Sequence, residues 1–444
     1  MINNELYEKL NTKKAADFFM ELYGKETGEA RSRYKSLVSD IFESNNHTGN
    51  LRIFSAPGRT ELAGNHTDHN NGKVLAASIH LDCAAVVRVR KDNVVFYRST
   101  GFPDVEVKLT DENGAFDLQP KPEEKEKTEA LIRGIAAELH KRGCKIGGFS
   151  ANADNKVFPG SGLSSSAALE VLIGRIFSSL YSEGKISSQN FSSSNFSPLE
   201  IAQIGQIAEN EYFGKPCGLM DQIACASGGA VAIDFADSIN PNVSKINFDF
   251  EAAGYTLCVV NTGGSHADLT ADYAAIPSEM KAVASFFGKK TLREIEKDLI
   301  LKNEVKLKKA HGERAYQRAI HFFDENERVS KMTDALLDGK DQFNQYLSLV
   351  NESGESSKKL LQNIYPSNGA SSLGSALDIT KEFFDREGLH GVCRVHGGGF
   401  AGTIQVYIPR DSIGAYRACM EAVFGEGSVT ALRIRKQGAI ELEF

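Results

Sequence analysis

The chain has 444 residues, which at ~150 residues per domain points to two or three domains with a core large enough to need no disulfide or metal staple. Lysine and arginine number 51 against 58 aspartate and glutamate, a net charge of −7; this argues against a general nucleic-acid or anionic-membrane binder, since both need basic faces. The 41% hydrophobic and 25% charged content is that of a soluble globular protein and not of a disordered one.

The seven cysteines include no CxxC pair, which reads as reduced thiols in a cytoplasmic protein. The N-terminus lacks a charged-then-apolar signal pattern, and no run of about 18 apolar residues suggests a membrane helix. Glycine is the outlier at 40 residues, against an average share of about 7%, and the glycines cluster.

Residues 1 to about 50 read as polar helices with Ala15, Phe18, Phe19, Leu22 and Tyr23 on one side. A strand over Leu51–Phe54 leads into a glycine-rich stretch. Cys83–Arg90 and Val94–Tyr97 alternate like paired antiparallel strands. Residues 123–143 predict a helix ending at Gly143, and residues 163–181 a second one. Residues 186–198 form a Ser/Asn-rich loop. It ends in Ser197-Pro198-Leu199-Glu200, a capping box with proline at the first helical position. That helix is expected to run to about Phe213 and stop at Gly214-Lys215-Pro216. Residues 254–261 read as a buried strand and residues 277–386 as helices. Strands return at Gly391–Val395, Thr403–Ile408 and Ala431–Glu443. The mixture fits an α+β chain of two lobes, residues 1–235 and 236–444.

Three glycine-rich clusters carry candidate chemistry. The first runs from Pro57 to Gly72 and concentrates Arg59, Glu61, Asn65, His66, Asp68 and His69. Its readings are a polar ligand site suited to hydroxyls, a solvated turn, or a metal site, although the spacing matches no zinc pattern. The second, Val157 to Glu170, places Gly160, Ser161, Gly162, Leu163, Ser164, Ser165 and Ser166 before an apolar-faced helix. Backbone N–H groups at a helix start, close-approach glycines and hydroxyls suit a phosphate, against the plain reading of a serine-capped helix. The third, Arg394 to Thr403, formally matches GxGxxG. A strand follows it where the dinucleotide fingerprint needs a helix, so a tight strand–loop–strand is expected.

In this order the clusters resemble the three signature motifs of the GHMP small-molecule kinases. Gly58-Arg59, Gly64-Asn65-His66-Thr67-Asp68 and Asn70-x-Gly72-x-Val74-Leu75 resemble the galactokinase signature. Cys217-Gly218-Leu219-Met220-Asp221-Gln222 resembles that family's catalytic-aspartate segment, and Glu325 to Val329 extends the likeness. The resemblance implies a two-lobed fold with the site between the lobes, ATP and Mg²⁺, and a sugar phosphorylated at its anomeric hydroxyl. It implies Asp221 as the base and Arg59 beside it. Ser166, with Ser165 near it, and Glu209 would serve Mg²⁺, and Gly160 to Ser166 would wrap the phosphates. Asn65, His66, Asp68, Gly218 and Tyr273 would lie at the sugar; Glu61 is added to the substrate side as a nearby carboxylate compensating for the uncharged Asn65. From the residues alone, Asp221 reads equally as a helix cap and Glu209 as a solvated helix residue.

The chain departs from the family pattern in exchanging Asn and Glu: Glu61 stands where Asn is usual and Asn65 where Glu is usual. His69 replaces a usual Tyr and His396 a usual Thr. These changes bear on the sugar and leave the phosphate motif complete.

Overall fold

The computed structural model describes residues 2–24, 27–41, 47–157, 162–181, 196–263, 269–367, 369 and 371–444. In chain order the first half comprises α1 (Ile2–Lys9), α2 (Lys13–Tyr23), α3 (Thr27–Ser39), β1 (His47–Ala63), β2 (Lys73–Arg90), β3 (Val94–Ser99), β4 (Val105–Lys108), α4 (Thr128–Lys141), β5 (Phe149–Asn155), α5 (Ser165–Tyr181), α6 (Pro198–Ile207), α7 (Met220–Ser227), β6 (Ala230–Asp234) and β7 (Asn242–Ile246). There follow β8 (Tyr255–Asn261), α8 (Thr270–Phe286), α9 (Lys297–Lys302), α10 (Glu304–His311), α11 (Glu313–Leu337), α12 (Phe343–Ser356), α13 (Ser372–Glu387), β9 (Val392–His396), β10 (Thr403–Pro409), α14 (Ile413–Phe424), β11 (Val429–Leu432) and β12 (Ile440–Leu442).

Eight strands form one sheet in the order β12-β1-β2-β5-β3-β4, with β6 on β2 and β7 on β6. Side chains alternate across it. Phe54, Ala56, Ala85 and Val87 face the layer containing α4, α5, α6 and α7. Ile53, Ala84 and Val86 meet Phe19, Tyr34 and Val38 of the N-terminal helices on the other face. That second face is pinned by the buried carboxylate of Asp82. It accepts Tyr23 Oη at 2.6 Å, Arg33 Nη1 at 2.5 Å and Arg435 Nη1 at 3.2 Å. The chain's end thereby returns to the first sheet, where β12 pairs with β1.

The other sheet, β11-β8-β10-β9, has four strands and packs against α13 and α14 through Val260, Ile404, Phe383, Tyr416 and Met420. Helices α8 and α11 share a third cluster, which includes Ile276, Met280 and Phe322.

Several sequence expectations change. The strand begun at Leu51 continues to Ala63, so Arg59 and Glu61 sit on β1 and not in a loop. Register shifts at Pro57/Arg59 and Glu61/Ala63 mark bulges there, which re-aim side chains at a strand end. The segments 83–90 and 94–97 do not pair with each other. Strand β5 lies between them, antiparallel to β2 and parallel to β3. Alternation shows that a segment is a strand but not which neighbour it takes, and the parallel pair is closed by the crossover through α4. Helix α4 begins at Thr128, α8 begins at Thr270, and α14 was not anticipated. The Ser197 capping box forms as expected, and a strand follows the third glycine cluster. Most of the Ser/Asn-rich loop, residues 186–195, lies outside the described residues, as do Gly160 and Ser161.

Candidate active site

The centre of the site is an arginine–carboxylate pair. Arg59, on the bulged part of β1, donates Nε to Asp221 Oδ1 at 2.8 Å and Nη2 to Oδ2 at 2.6 Å. This two-point geometry fixes orientation as well as charge. Asp221 lies in the first turn of α7, but its oxygens are taken by Arg59 and by the Ser164 hydroxyl, so it does not cap the helix. Burial alone would raise its carboxyl; the Arg59 charge and hydrogen bonds and the Ser164 hydroxyl overcome this and hold it below the usual range. Its side chain is still 32% exposed, so one edge is open to a substrate.

The second glycine cluster packs around the same arginine. Arg59 N–H donates to Leu163 O at 3.0 Å, and Arg59 Nη1 donates to Gly162 O. Gly162 has φ +69°, and a Cβ there would stand 3.0 Å from Thr403 Oγ1 and 3.1 Å from His396 Nδ1. The third cluster thus closes on the second with space only for glycine. Ser164 is held at φ +60°, a conformation costly for a non-glycine residue and concentrated at functional sites. It aims its hydroxyl at Asp221. Ser165 Oγ accepts Asn155 Nδ2 at 2.8 Å.

Ser166, the second residue of α5, donates to Glu209 Oε1 at 3.3 Å. Glu209 is buried, not solvated. It lies on Ala208–Phe213, a widened π turn continuing α6; such turns recur at functional sites. Gln222 Nε2 bridges Glu209 Oε2 at 3.1 Å and Glu170 Oε2 at 2.9 Å. Burial and the neighbouring Glu209 charge raise the Glu170 carboxyl well above its ordinary value. Among the described residues, no group of three or more His, Cys, Asp or Glu side chains is arranged around a metal position. A hydroxyl and a carboxylate oxygen nevertheless fit Mg²⁺, a hard cation that takes one or two protein oxygens and completes its shell with phosphate and water. The same absence of a three-residue group gives no support to a metal at His66, Asp68 and His69.

The remaining expected residues gather around the segment before α7 and the third glycine cluster. Asp68 Oδ1 accepts His69 N–H at 2.9 Å. A Cβ on Gly218 would fall 2.5 Å from Asp68 Oδ2, so the segment before α7 lies directly against this carboxylate. His66 has φ +59° and faces Gly398 O with Nε2 at 2.9 Å. A carbonyl only accepts, so Nε2 carries the proton and Nδ1 is an acceptor. Nδ1 is buried without a partner among the described residues. Burial and neighbouring His69 lower the ring to about 4, keeping it neutral. Tyr273, in the first turn of α8, donates to Gly399 O at 2.5 Å; burial pushes its phenol up to about 12.

Asn65 and Glu61 are placed differently. Asn65 is 1% exposed. Its Nδ2 donates to Gly397 O at 2.6 Å and to Glu61 Oε1 at 3.2 Å, while Oδ1 accepts Asn363 Nδ2 at 2.8 Å. Glu61 Oε1 also accepts Nη2 of the fully buried Arg394 at 2.8 Å. The exchanged pair therefore ties β1 to β9 and the loop after it. Sequence reasoning singled out Arg394 only as the edge of a glycine cluster. It missed three further parts of the tie: Asn363; His321, whose Nε2 meets Asn65 O at 2.9 Å; and Gln405, which donates to Glu61 O at 2.8 Å. Gln405 carried a signal, as a polar residue inside the apolar strand β10; His321, on the charge-rich α11, and Asn363, between elements, carried none.

Two family descriptions match this region: the GHMP kinases N terminal domain over residues 130–229 and the galactokinase galactose-binding signature over residues 40–89. A galactokinase of Glaesserella parasuis serovar 5 is 30% identical over 367 residues, 82% of this chain and 86% of its own length. The chain belongs to the galactokinase family. A galactokinase of Actinobacillus pleuropneumoniae serotype 3 is likewise 30% identical, over 81% of this chain and 85% of its own. Lactococcus lactis galactokinase complexed with galactose shares the fold, with a TM-score of 0.72 at 24% identity over 94% of this chain and 99% of that one. As a galactokinase-family sugar kinase, the chain has the expected α+β architecture.

Proposed function

We propose that this protein transfers the γ-phosphoryl group of ATP to the anomeric hydroxyl of galactose, forming galactose 1-phosphate. The observation that carries the reading is Asp221, half-open at the start of α7. It accepts the Ser164 hydroxyl at the serine-rich helix start, and Gly218, shortly before it in the chain, lies against Asp68. Phosphoryl transfer is catalysed by positioning and charge neutralisation, with little covalent work for the protein. Asp221 orients the hydroxyl and accepts its proton late, because a carboxylate held ionised by Arg59 is a weak base in the ground state. Arg59 also faces the transferring charge. Gly160 to Ser166, together with the N-terminus of α5, form the phosphate cradle. Ser166 and Glu209 would hold Mg²⁺, which when bound neutralises phosphate charge. His66 Nδ1 accepts a sugar hydroxyl, with Asp68, Gly218 and Tyr273 around it. Glu61 and Asn65 act from behind, by fixing that loop.

Seven free thiols suit a reducing cytoplasm. Among the described residues no helix is long and apolar enough to cross a membrane. A coupled ADP-release assay over a panel of monosaccharides tests the reading: galactose should be the best acceptor, and activity on another sugar with none on galactose overturns it. The internal commitment of Asn65 favours one second reading, a kinase for another monosaccharide such as N-acetylgalactosamine or arabinose; the same panel decides it. A non-catalytic sugar and ATP sensor would show no turnover with any sugar.

A further inference from the structure

Lys215 follows the π turn that carries Glu209. Gly214 takes φ +88°, and the backbone N–H groups of Gly214 and Lys215 both donate to Glu209 O, at 3.0 and 3.1 Å. Pro216 then removes a further degree of backbone freedom. The lysine is therefore rooted on the residue whose carboxylate its own side chain meets. Its Nζ lies 3.3 Å from Glu209 Oε1, the oxygen to which Ser166 also donates. The partners are unequal: the lysine side chain is 63% exposed and the glutamate 4%. Its positive charge also makes a smaller, longer-range contribution at Asp221 and Glu170, lowering both carboxyls.

An exposed lysine gripping a buried carboxylate differs from a surface ion pair, which is worth little and has no fixed place. Its position coincides with the oxygen assigned above to a divalent cation. Two cations cannot share that oxygen face without strong repulsion at such separations. The four-carbon stem of lysine is flexible, and a polyphosphate brought by the same cation would supply it with an anion in exchange for Glu209.

We propose that Lys215 is a mobile cation of the phosphate site. It holds Glu209 aimed at Ser166 in the nucleotide-free enzyme. It moves onto the nucleotide phosphate oxygens when a divalent cation takes Glu209. The inference rests on the reading of Ser166 and Glu209 as the cation's ligands. It predicts two opposite effects of one substitution. In Lys215→Met, Mn²⁺ used as a spectroscopic probe by electron paramagnetic resonance should bind the nucleotide-free full-length enzyme several-fold more tightly, because the competing ammonium is gone. At saturating Mg²⁺ the KM for ATP should instead rise about tenfold, the effect of one lost charge-assisted hydrogen bond, with the sugar KM unchanged. Lys215→Arg should restore the KM for ATP. Unaltered Mn²⁺ affinity, or an unaltered KM for ATP, in Lys215→Met overturns the proposal. Glu209→Gln separates the two layers of inference: loss of Mn²⁺ binding there with a silent Lys215→Met discards the lysine alone, whereas unchanged Mn²⁺ binding in Glu209→Gln discards the metal-ligand reading itself.

Discussion

Replacing Arg394 by methionine leaves the Glu61 carboxylate in a site with 4% exposure and no cation in hydrogen-bond contact. The arginine donates to Glu61 Oε1 at 2.8 Å, to Glu61 O at 3.1 Å and to Ser353 Oγ at 3.1 Å. The Glu61 carbonyl keeps Gln405 at 2.8 Å, so the main loss is the carboxylate's partner. Breaking a buried pair from one side costs about 3–5 kcal/mol. Glu61 has a way to limit this, which is to take up a proton. Burial already raises its carboxyl above the ordinary 4.5, against the opposing pull of Arg394. Holding such a group protonated at pH 7 costs about 3 kcal/mol, at about 1.4 kcal/mol per pH unit. The sign follows from proton linkage: the folded variant binds a proton that the unfolded chain releases, so its stability falls as pH rises above 4.5. The expected loss is therefore about 3 kcal/mol at pH 7, with the ionisation part shrinking to about 1 kcal/mol at pH 5. Urea unfolding followed by circular dichroism at both pH values measures it. Adding Glu61→Gln to Arg394→Met should recover stability at pH 7 and remove the pH dependence of the difference. A loss below about 1 kcal/mol at pH 7, or one independent of pH, refutes the assignment of Glu61 as an ionised group held by Arg394.

Three further outcomes are expected. Asp221→Asn should lower the phosphorylation rate by at least about a hundredfold, the lower range for a lost proton acceptor, and should also lower the melting temperature, because the buried Arg59 loses its carboxylate partner; an unchanged rate per folded enzyme removes Asp221 from the reaction. Gly218→Ala drives a Cβ to within 2.5 Å of Asp68 Oδ2, and should raise the sugar KM while leaving that for ATP alone. Equal movement of both constants would place the strain elsewhere. Glu325 is held near 2 because Arg328, His321 and Arg394 outweigh the effect of its burial. A lowered carboxyl stabilises the fold above the unfolded value of 4.5 and loses that contribution as pH falls toward 2. Glu325→Gln should therefore flatten the acid limb of a stability profile, and an unaltered limb excludes Glu325 as its source.

What the sequence determined by itself is local or motif-borne. The Ser197 cap, the apolar period of α5, the strand after Gly402 and the three glycine clusters each depend on residues close to one another along the chain. The same clusters carried the family, and with it the pairing of Arg59 with Asp221 and of Ser166 with Glu209. Tertiary structure decided the rest. Insertion of β5 between β2 and β3 could not be read from alternation, which is identical for any neighbour. The π turn under Glu209 depends on packing and has no residue signature. The exchanged Glu61 and Asn65 looked in the sequence like an altered sugar contact. Folded, they are joined to Arg394, Gly397 and Asn363, some 300 positions away, and face protein. A buried polar group must be satisfied, and the partner that satisfies it is chosen by which elements meet in the core.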